Sequence, residues 1–193
     1  MKAILPSAAM LISLLFSGCA SRAPLQTVPS VDLKRYAGKW YEIAKYPNWF
    51  QRSCAGDTKA DYTPNPDGSI CVVNRSRDKR GKPIEVNGRA TVVPDSGNAK
   101  LKVSFGGPFS GAYWVIGLDE KNYSWALVGH PSRQFLWVLA RQPELSASTY
   151  AGILDLAARQ GYDPGRIVRT PQNLLRSCGN LHPAKVGKAA SHR

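Results

Sequence analysis

Histidine is scarce in this chain: His130, His182 and His192 are the three in 193 residues. None stands in an H-E-x-x-H pair and no G-x-S-x-G occurs, so the zinc-protease and serine-hydrolase arrangements are absent. His130 precedes Pro131 in a turn, and the other two lie in the C-terminal tail. No Cys/His spacing suits a metal site, and we expect no catalytic residue, metal or cofactor. Acidic residues are also few, 13 against 26 basic, for a net charge of +13. Such a field favours anionic surfaces such as phospholipid head groups or lipopolysaccharide phosphates. The basic residues are spread along the chain and not packed into one helix, so nucleic acid is not expected; a merely solvated surface is the plainer alternative. No internal repeat of solenoid type is visible.

The apolar run from Ala3 to Phe16 is interrupted by Pro6 and Ser7. It falls short of the ~20 residues a membrane-spanning helix needs. Preceded by Met1-Lys2, it fits a signal peptide. Ser17-Gly18-Cys19 resembles a lipobox, in which Cys19 is acylated and becomes the mature N-terminus, although Phe16 stands where leucine is commoner. The other reading is an ordinary secretory signal with an incidental cysteine. Stable attachment takes two or more acyl chains. Ala20, with no aspartate there, resembles outer-membrane sorting. The chain therefore divides into a lipoprotein signal peptide (1–18), a lipidated N-terminus and tether with Pro24 and Pro29 (19–30), one folded domain (31–178) and a basic disordered tail (179–193).

Period-two alternation and Gly/Pro/Asn/Asp breaks predict eight strands, near Gly38–Pro47, Cys54–Thr63, Ser69–Arg77, Ile84–Val93, Ala99–Phe105, Ala112–Leu118, Tyr123–Gly129 and Phe135–Arg141. Up-and-down order with short loops matches a closed barrel. Leu101, Val103 and Phe105 share a face, as do Val86, Gly88, Ala90 and Val92; small Gly88 and Ala90 leave room inside. Ser146 caps a helix running to about Gln160, with Tyr150, Ile153, Leu154 and Ala157 as its apolar stripe and Gly161 at its end. Gly165 to Thr170 supplies a short extra strand. The predicted fold is all-β: an eight-stranded antiparallel up-and-down barrel with one C-terminal α-helix packed outside. The turn Asn65-Pro66-Asp67-Gly68 puts Cys71 opposite about Tyr62 and Cys54 opposite about Lys79, a poor geometry for a Cys54–Cys71 disulfide. Cys71 faces away from Ile70 and Val72.

The run Gly38-Lys39-Trp40-Tyr41-Glu42-Ile43-Ala44 resembles the G-x-W signature of the lipocalins, with the W-Y-E-I-A continuation of bacterial members. Ala126-Leu127-Val128-Gly129 and Phe135-Leu136-Trp137-Val138-Leu139-Ala140-Arg141 are similar to the family's seventh and eighth strands. The resemblance runs from about Val31 to Cys178 and is nearest to bacterial outer-membrane lipoprotein and apolipoprotein D-like members. It implies that Gly38, Trp40 and Arg141 are structural, with Arg141 packed over Trp40, a contact worth up to ~2 kcal/mol when desolvated. It also implies a Cys54–Cys178 disulfide, which leaves Cys71 without a partner.

With strand parity, the resemblance implies a pocket of Tyr62, Val72, Asn74, Val103, Tyr113 and Trp137, each of which could instead fill core. The apolar members would contact a hydrocarbon chain, and Asn74 and Tyr62 would orient a polar end. Trp49 and Phe50 belong to the first loop at the mouth, as a lid, a membrane contact or a loop tucked on the rim. Arg52, Lys59, Arg75 and Arg77 are candidates to attract a head group. The implied ligand is a fatty acid or lysophospholipid, carried or stored in the cell envelope by a protein lipid-anchored to the outer membrane. Some bacterial members pair through their mouths, which leaves a homodimer open. A structural envelope lipoprotein without ligand, and a lipocalin-fold enzyme, are the alternatives to this non-enzymatic reading.

Overall fold

The computed structural model describes residues 23–107 and 110–172. Among them, eight strands follow one another: β1 Gly38–Lys45, β2 Gly56–Pro64, β3 Ile70–Arg77, β4 Pro83–Val92, β5 Lys100–Ser104, β6 Gly111–Leu118, β7 Trp125–Gly129 and β8 Leu136–Ala140. Each pairs antiparallel with the next, and β8 returns to β1, which closes the barrel. The predicted eight strands are all present, with ends that differ by one or two residues. A one-turn helix, α1 (Leu33–Tyr36), precedes β1; α2 (Ala147–Arg159) and a short β9 (Val168–Arg169) follow β8.

Alternation sorts the side chains into two clusters. Trp40, Tyr62, Val72, Leu101, Val115 and Val128 meet inside the barrel. Ile43, Ile116, Leu127, Leu136 and Val138 point outward and meet Ile153 and Ala157 of α2. Ser146 Oγ caps α2 by accepting from Thr149 N at 3.1 Å. The helix stripe differs from the expected one in one member: Leu156, not Leu154, lies against the barrel, filling the space above Gly117.

An up-and-down barrel has two unlike ends. The β1–β2, β3–β4, β5–β6 and β7–β8 connections share one, the mouth; β2–β3, β4–β5 and β6–β7 share the other, the floor. The N-terminal segment starts at the mouth, where Arg133 of the β7–β8 connection donates to Ala23 O at 2.5 Å. It then runs to the floor, where Val31 N donates to Gly97 O at 2.8 Å. Beyond residue 41 of β1, β1 and β2 are no longer paired, and β9 enters the gap: Lys45 pairs with Val168 and Ala44 with Arg169. Asp57 N then donates to Pro171 O at 2.8 Å.

The β2–β3 hairpin corrects one expected register. Pro64 pairs with Ile70 and Thr63 with Cys71, so Cys71 faces Thr63 and not Tyr62. The reason is the turn: Asn65 and Ser69 are still hydrogen-bonded at 2.8 Å, which leaves three tip residues with Gly68 at φ 80°. Cys54 precedes β2; Gly56 pairs with Arg77, a register that continues toward Cys54 opposite Lys79, and Ser76 Oγ lies 3.1 Å from Cys54 Sγ. Cys54 and Cys71 are not bonded to each other. Cys19, Cys178, His182 and His192 lie outside the described residues.

The helix end is fixed to the barrel by Tyr162. Its hydroxyl occupies the space in front of Gly129, accepting from His130 N at 3.0 Å and donating to His130 O at 3.1 Å. A methyl group at 129 would meet that hydroxyl. We expect Gly129→Ala to destabilise the protein by about 1–3 kcal/mol in urea unfolding. Tyr162→Phe, which removes the displaced atom, should cost less when added to Gly129→Ala than when made alone.

Candidate functional site

The barrel interior is closed at the floor by Trp40 and Arg141. Trp40 is fully buried and its indole N–H donates to Tyr36 O at 2.7 Å. The Arg141 guanidinium lies 3.9 Å above the ring and donates to Lys39 O at 2.8 Å and Arg35 O at 2.6 Å. Those carbonyls belong to the single turn of α1 and the start of β1. Asp32 starts that turn, its carboxylate accepting from Lys34 N and Arg35 N. The expected stacking of Arg141 on Trp40 is therefore present.

Above this floor stand three phenols. The Tyr113 hydroxyl is 2.8 Å from that of Tyr36 and 3.1 Å from that of Tyr62. Burial raises the pKa of all three, Tyr62 to about 12. Beside them is an apolar cavity of about 20 Å³ walled by Tyr62, Ile70, Ala90, Val103, Tyr113 and Val115. Its size suits about one water molecule, not an acyl chain. The room expected at Gly88 is taken by Phe105, whose Cδ1 would lie 2.6 Å from a Cβ at 88. Ala90 stays at the cavity wall.

The upper half of the lumen is polar. Glu42, only 3% exposed, accepts from Lys45 Nζ at 2.8 Å, Gln51 Nε2 at 2.7 Å and Thr170 Oγ1 at 2.6 Å. Gln51 in turn accepts from Trp137 Nε1 at 3.0 Å and Asn48 Nδ2 at 2.7 Å. The β1–β2 connection is thus drawn over the mouth. Phe50 reinforces the closure, with ring centroids 5.5 Å from Phe135 and 6.4 Å from Trp137. Trp49 beside it is 75% exposed.

Between the two halves lies one polar group with nothing to bind among the described residues. Thr58 Oγ1 is buried with no hydrogen-bond partner among the described residues; Thr58 alternates along β2 with Ala60 and Tyr62 of the inner cluster. Asn74 is half-buried on the facing stretch of β3, opposite Ala60. Buried hydroxyls of this kind are normally satisfied, so the position calls for a water or a ligand atom.

The six residues expected to form the pocket occupy three levels. Tyr62, Val103 and Tyr113 wall the lower cavity, Val72 lies in the inner core beside them, Asn74 is midway and Trp137 is at the mouth. Sequence reasoning missed Tyr36, Glu42, Gln51 and Thr58. The alternation that selected Trp40 and Tyr62 also reaches Glu42 and Thr58; Tyr36 and Gln51 lie outside strands and carry no such signal.

Of the expected head-group cations, Lys59, Arg75 and Arg77 are not in the mouth. They line a groove of about 460 Å³ with Tyr41, Glu85 and Pro143. This groove is on the outer face of β1–β4, because Lys59, Arg75 and Arg77 alternate with the inward residues. Arg75 is paired with Asp61 at 2.7 Å and Glu85 at 2.8 Å, and Arg77 with Asp57 at 3.4 Å. Only Arg52 of the four is exposed on the mouth connection. His130 Nδ1 faces Ser132 Oγ at 2.8 Å, and burial lowers its pKa.

The phenol trio sets an alkaline limit. The folded state keeps the Tyr62 proton up to about pH 12, whereas the unfolded chain loses it at 10. This contribution to stability is full below pH 10 and is lost as pH rises toward 12. Urea unfolding at pH 8 and above pH 10 should show that decline. Tyr113→Phe, which strips Tyr36 and Tyr62 of their common partner, should cost about 1–3 kcal/mol at pH 8.

A family model described as a lipocalin-like domain matches residues 31–172. The chain is 40% identical over 159 residues to temperature-induced lipocalin-1 of Arabidopsis thaliana, covering 77% of this chain and 83% of that one. It is 37% identical over 169 residues to the outer membrane lipoprotein Blc of Escherichia coli strain K12, covering 86% and 94%. Among solved structures, insecticyanin from the tobacco hornworm Manduca sexta superposes with a TM-score of 0.65 at 21% identity, covering 78% of this chain and 86% of that one. With its closed barrel, its Trp40–Arg141 floor and its outer helix, the chain belongs to the lipocalin family.

Proposed function

We propose that this lipocalin binds a single acyl lipid, a fatty acid or a lysophospholipid, in its barrel, for storage or transport in the cell envelope. The observation that carries this is the gradient along the lumen: apolar walls near the floor, then Thr58 Oγ1 without a partner, then a charged and amide-rich mouth. A hydrocarbon tail would enter the lower part by widening its cavity of about 20 Å³, and a carboxyl or ester group would satisfy Thr58 and pair with Asn74. Tyr62, Val72, Val103, Tyr113 and Trp137 would line the tail. Each buried methylene contributes ~0.8 kcal/mol, so about ten would reach micromolar affinity before the cost of opening the mouth. That cost is real here, because Gln51 must leave Glu42 and Trp137.

The relatives named as outer membrane lipoproteins support an envelope location for this chain, anchored through an acylated Cys19 after removal of residues 1–18. They and the fold favour a binding role over an enzymatic one. A Cys54–Cys178 disulfide belongs to the same proposal. Pro171 is bonded to Asp57, three residues from Cys54, so the chain continuing to Cys178 starts within reach of it. The bridge would close a long loop and add ~2–4 kcal/mol.

The small size of the closed cavity favours a second reading, a structural lipoprotein with a filled lumen. Titration of lysophospholipids and fatty acids into the soluble form from Ser21 onward, followed by tryptophan quenching, separates the two. We expect saturable binding in the micromolar range, loss of binding in Ala90→Trp, and tighter binding in Gln51→Ala. A folded sample that binds none of these lipids would leave the structural reading. Peptide mapping without reductant should find Cys54 joined to Cys178 and Cys71 as a thiol; Cys71 in a disulfide would overturn the pairing.

A further inference from the structure

We infer that the mouth of this barrel is also its membrane-docking face, and that it takes an anionic phospholipid bilayer. The inference rests on the lipid-binding reading and adds where the lipid comes from and how the barrel stands on its source. Three independent features meet at this end. The first is apolar. Trp49, Phe50 and Phe105 are 75%, 47% and 45% exposed, and they sit on the β1–β2 connection and at the start of the β5–β6 connection. The other two large exposed hydrophobics among the described residues, Val86 and Val168, lie in the mouth-side half. None is at the floor. Indole and phenyl rings in this setting bury their apolar bodies at a bilayer surface.

The second feature is charge. Arg52, Lys79, Arg80 and Lys82 are exposed on the same end. The nearby carboxylates are engaged: Asp78 Oδ1 accepts from Arg80 N and Lys82 N, Asp57 pairs with Arg77, and Glu85 with Arg75. The floor, by contrast, mixes Asp32, Asp67, Asp95 and Glu120 with its Lys and Arg residues. A cationic rim around exposed aromatics is complementary to an anionic head-group layer.

The third feature is where the chain enters. Ala23 O is held by Arg133 at the mouth, and Gln26 is bonded to Gln160 beside it. The four residues back to Cys19 span at most about 14 Å. An acylated Cys19 therefore holds the mouth, and not the floor, against the bilayer. Phe50 and Gln51, which close the lumen, belong to the loop that carries Trp49. Seating Trp49 in the lipid and opening the lumen are then coupled movements of one segment.

The test is made on the mature chain reconstituted into vesicles of phosphatidylcholine, with or without phosphatidylglycerol, containing lipids brominated in the upper acyl chain. We expect quenching of tryptophan emission, loss of most of it in Trp49→Phe, and stronger quenching with phosphatidylglycerol. Arg80→Ala with Lys82→Ala should remove that increase. Equal quenching with and without Trp49, no quenching, or a cross-linked mouth-to-mouth dimer that shields Trp49 from the bromines would overturn the docking face. Intact mass separately reports acylation of Cys19. An unacylated chain with Trp49-dependent quenching keeps the docking face and removes the anchor. Trp49-dependent quenching in a protein that binds no lipid in its lumen keeps the docking face and removes the lipid-binding reading.

Discussion

Arg141 on Trp40 is the contact on which the rest of this structure depends. It joins the first residue after β8 to the first turns of the domain: the guanidinium covers the indole and bonds the carbonyls of Arg35 and Lys39. A barrel made by one up-and-down chain has to be sealed where its first and last strands meet, and here the seal also plugs the floor. With Tyr36 packed on Trp40 at 4.8 Å and bonded to Tyr113, the floor is a continuous layer of rings. Among the described residues this layer closes the floor.

The mouth is held by weaker and more local means. One buried carboxylate, Glu42, gathers Lys45, Gln51 and Thr170, and through Gln51 the indole of Trp137. Three of these partners come from different segments: β1 itself, the β1–β2 connection and the chain after β9. The insertion of β9 between β1 and β2 is what brings Thr170 to Glu42, and Gln172 completes the seam by donating to Glu42 O and Thr58 O. Leaving a buried carboxylate without its partners is costly, which explains why the loop rests closed over the mouth. An incoming polar group that replaced Gln51 would offset that cost, and the same event would clear the way to the apolar cavity below.

Most strands were legible because they have one inward and one outward face, whereas Leu136–Ala140, apolar on both faces, was legible as a short apolar run after a turn. What escaped was set by contacts between segments distant in sequence. Phe105 covers Gly88 from the neighbouring strand, so a small residue on an inner face did not mean space. Leu156 replaced Leu154 because the helix is rotated to fit Gly117. Lys59, Arg75 and Arg77 were given to the mouth although their own parity, opposite to Tyr62 and Val72, assigns them outside. Glu42 was visible as a charge at an inward position, but its partners Gln51 and Thr170 are brought to it only by the loop and the wedge.

Hydrogen exchange along the backbone tests the central claim most directly, that the floor is fixed and the mouth is the end that opens. The account requires amides of 36–41 to exchange only through global unfolding, and those of 48–55 through a local opening of much lower free energy. Saturating lysophospholipid should slow the second group and leave the first unchanged. Equal protection at both ends, or lipid-dependent protection at the floor, would contradict it.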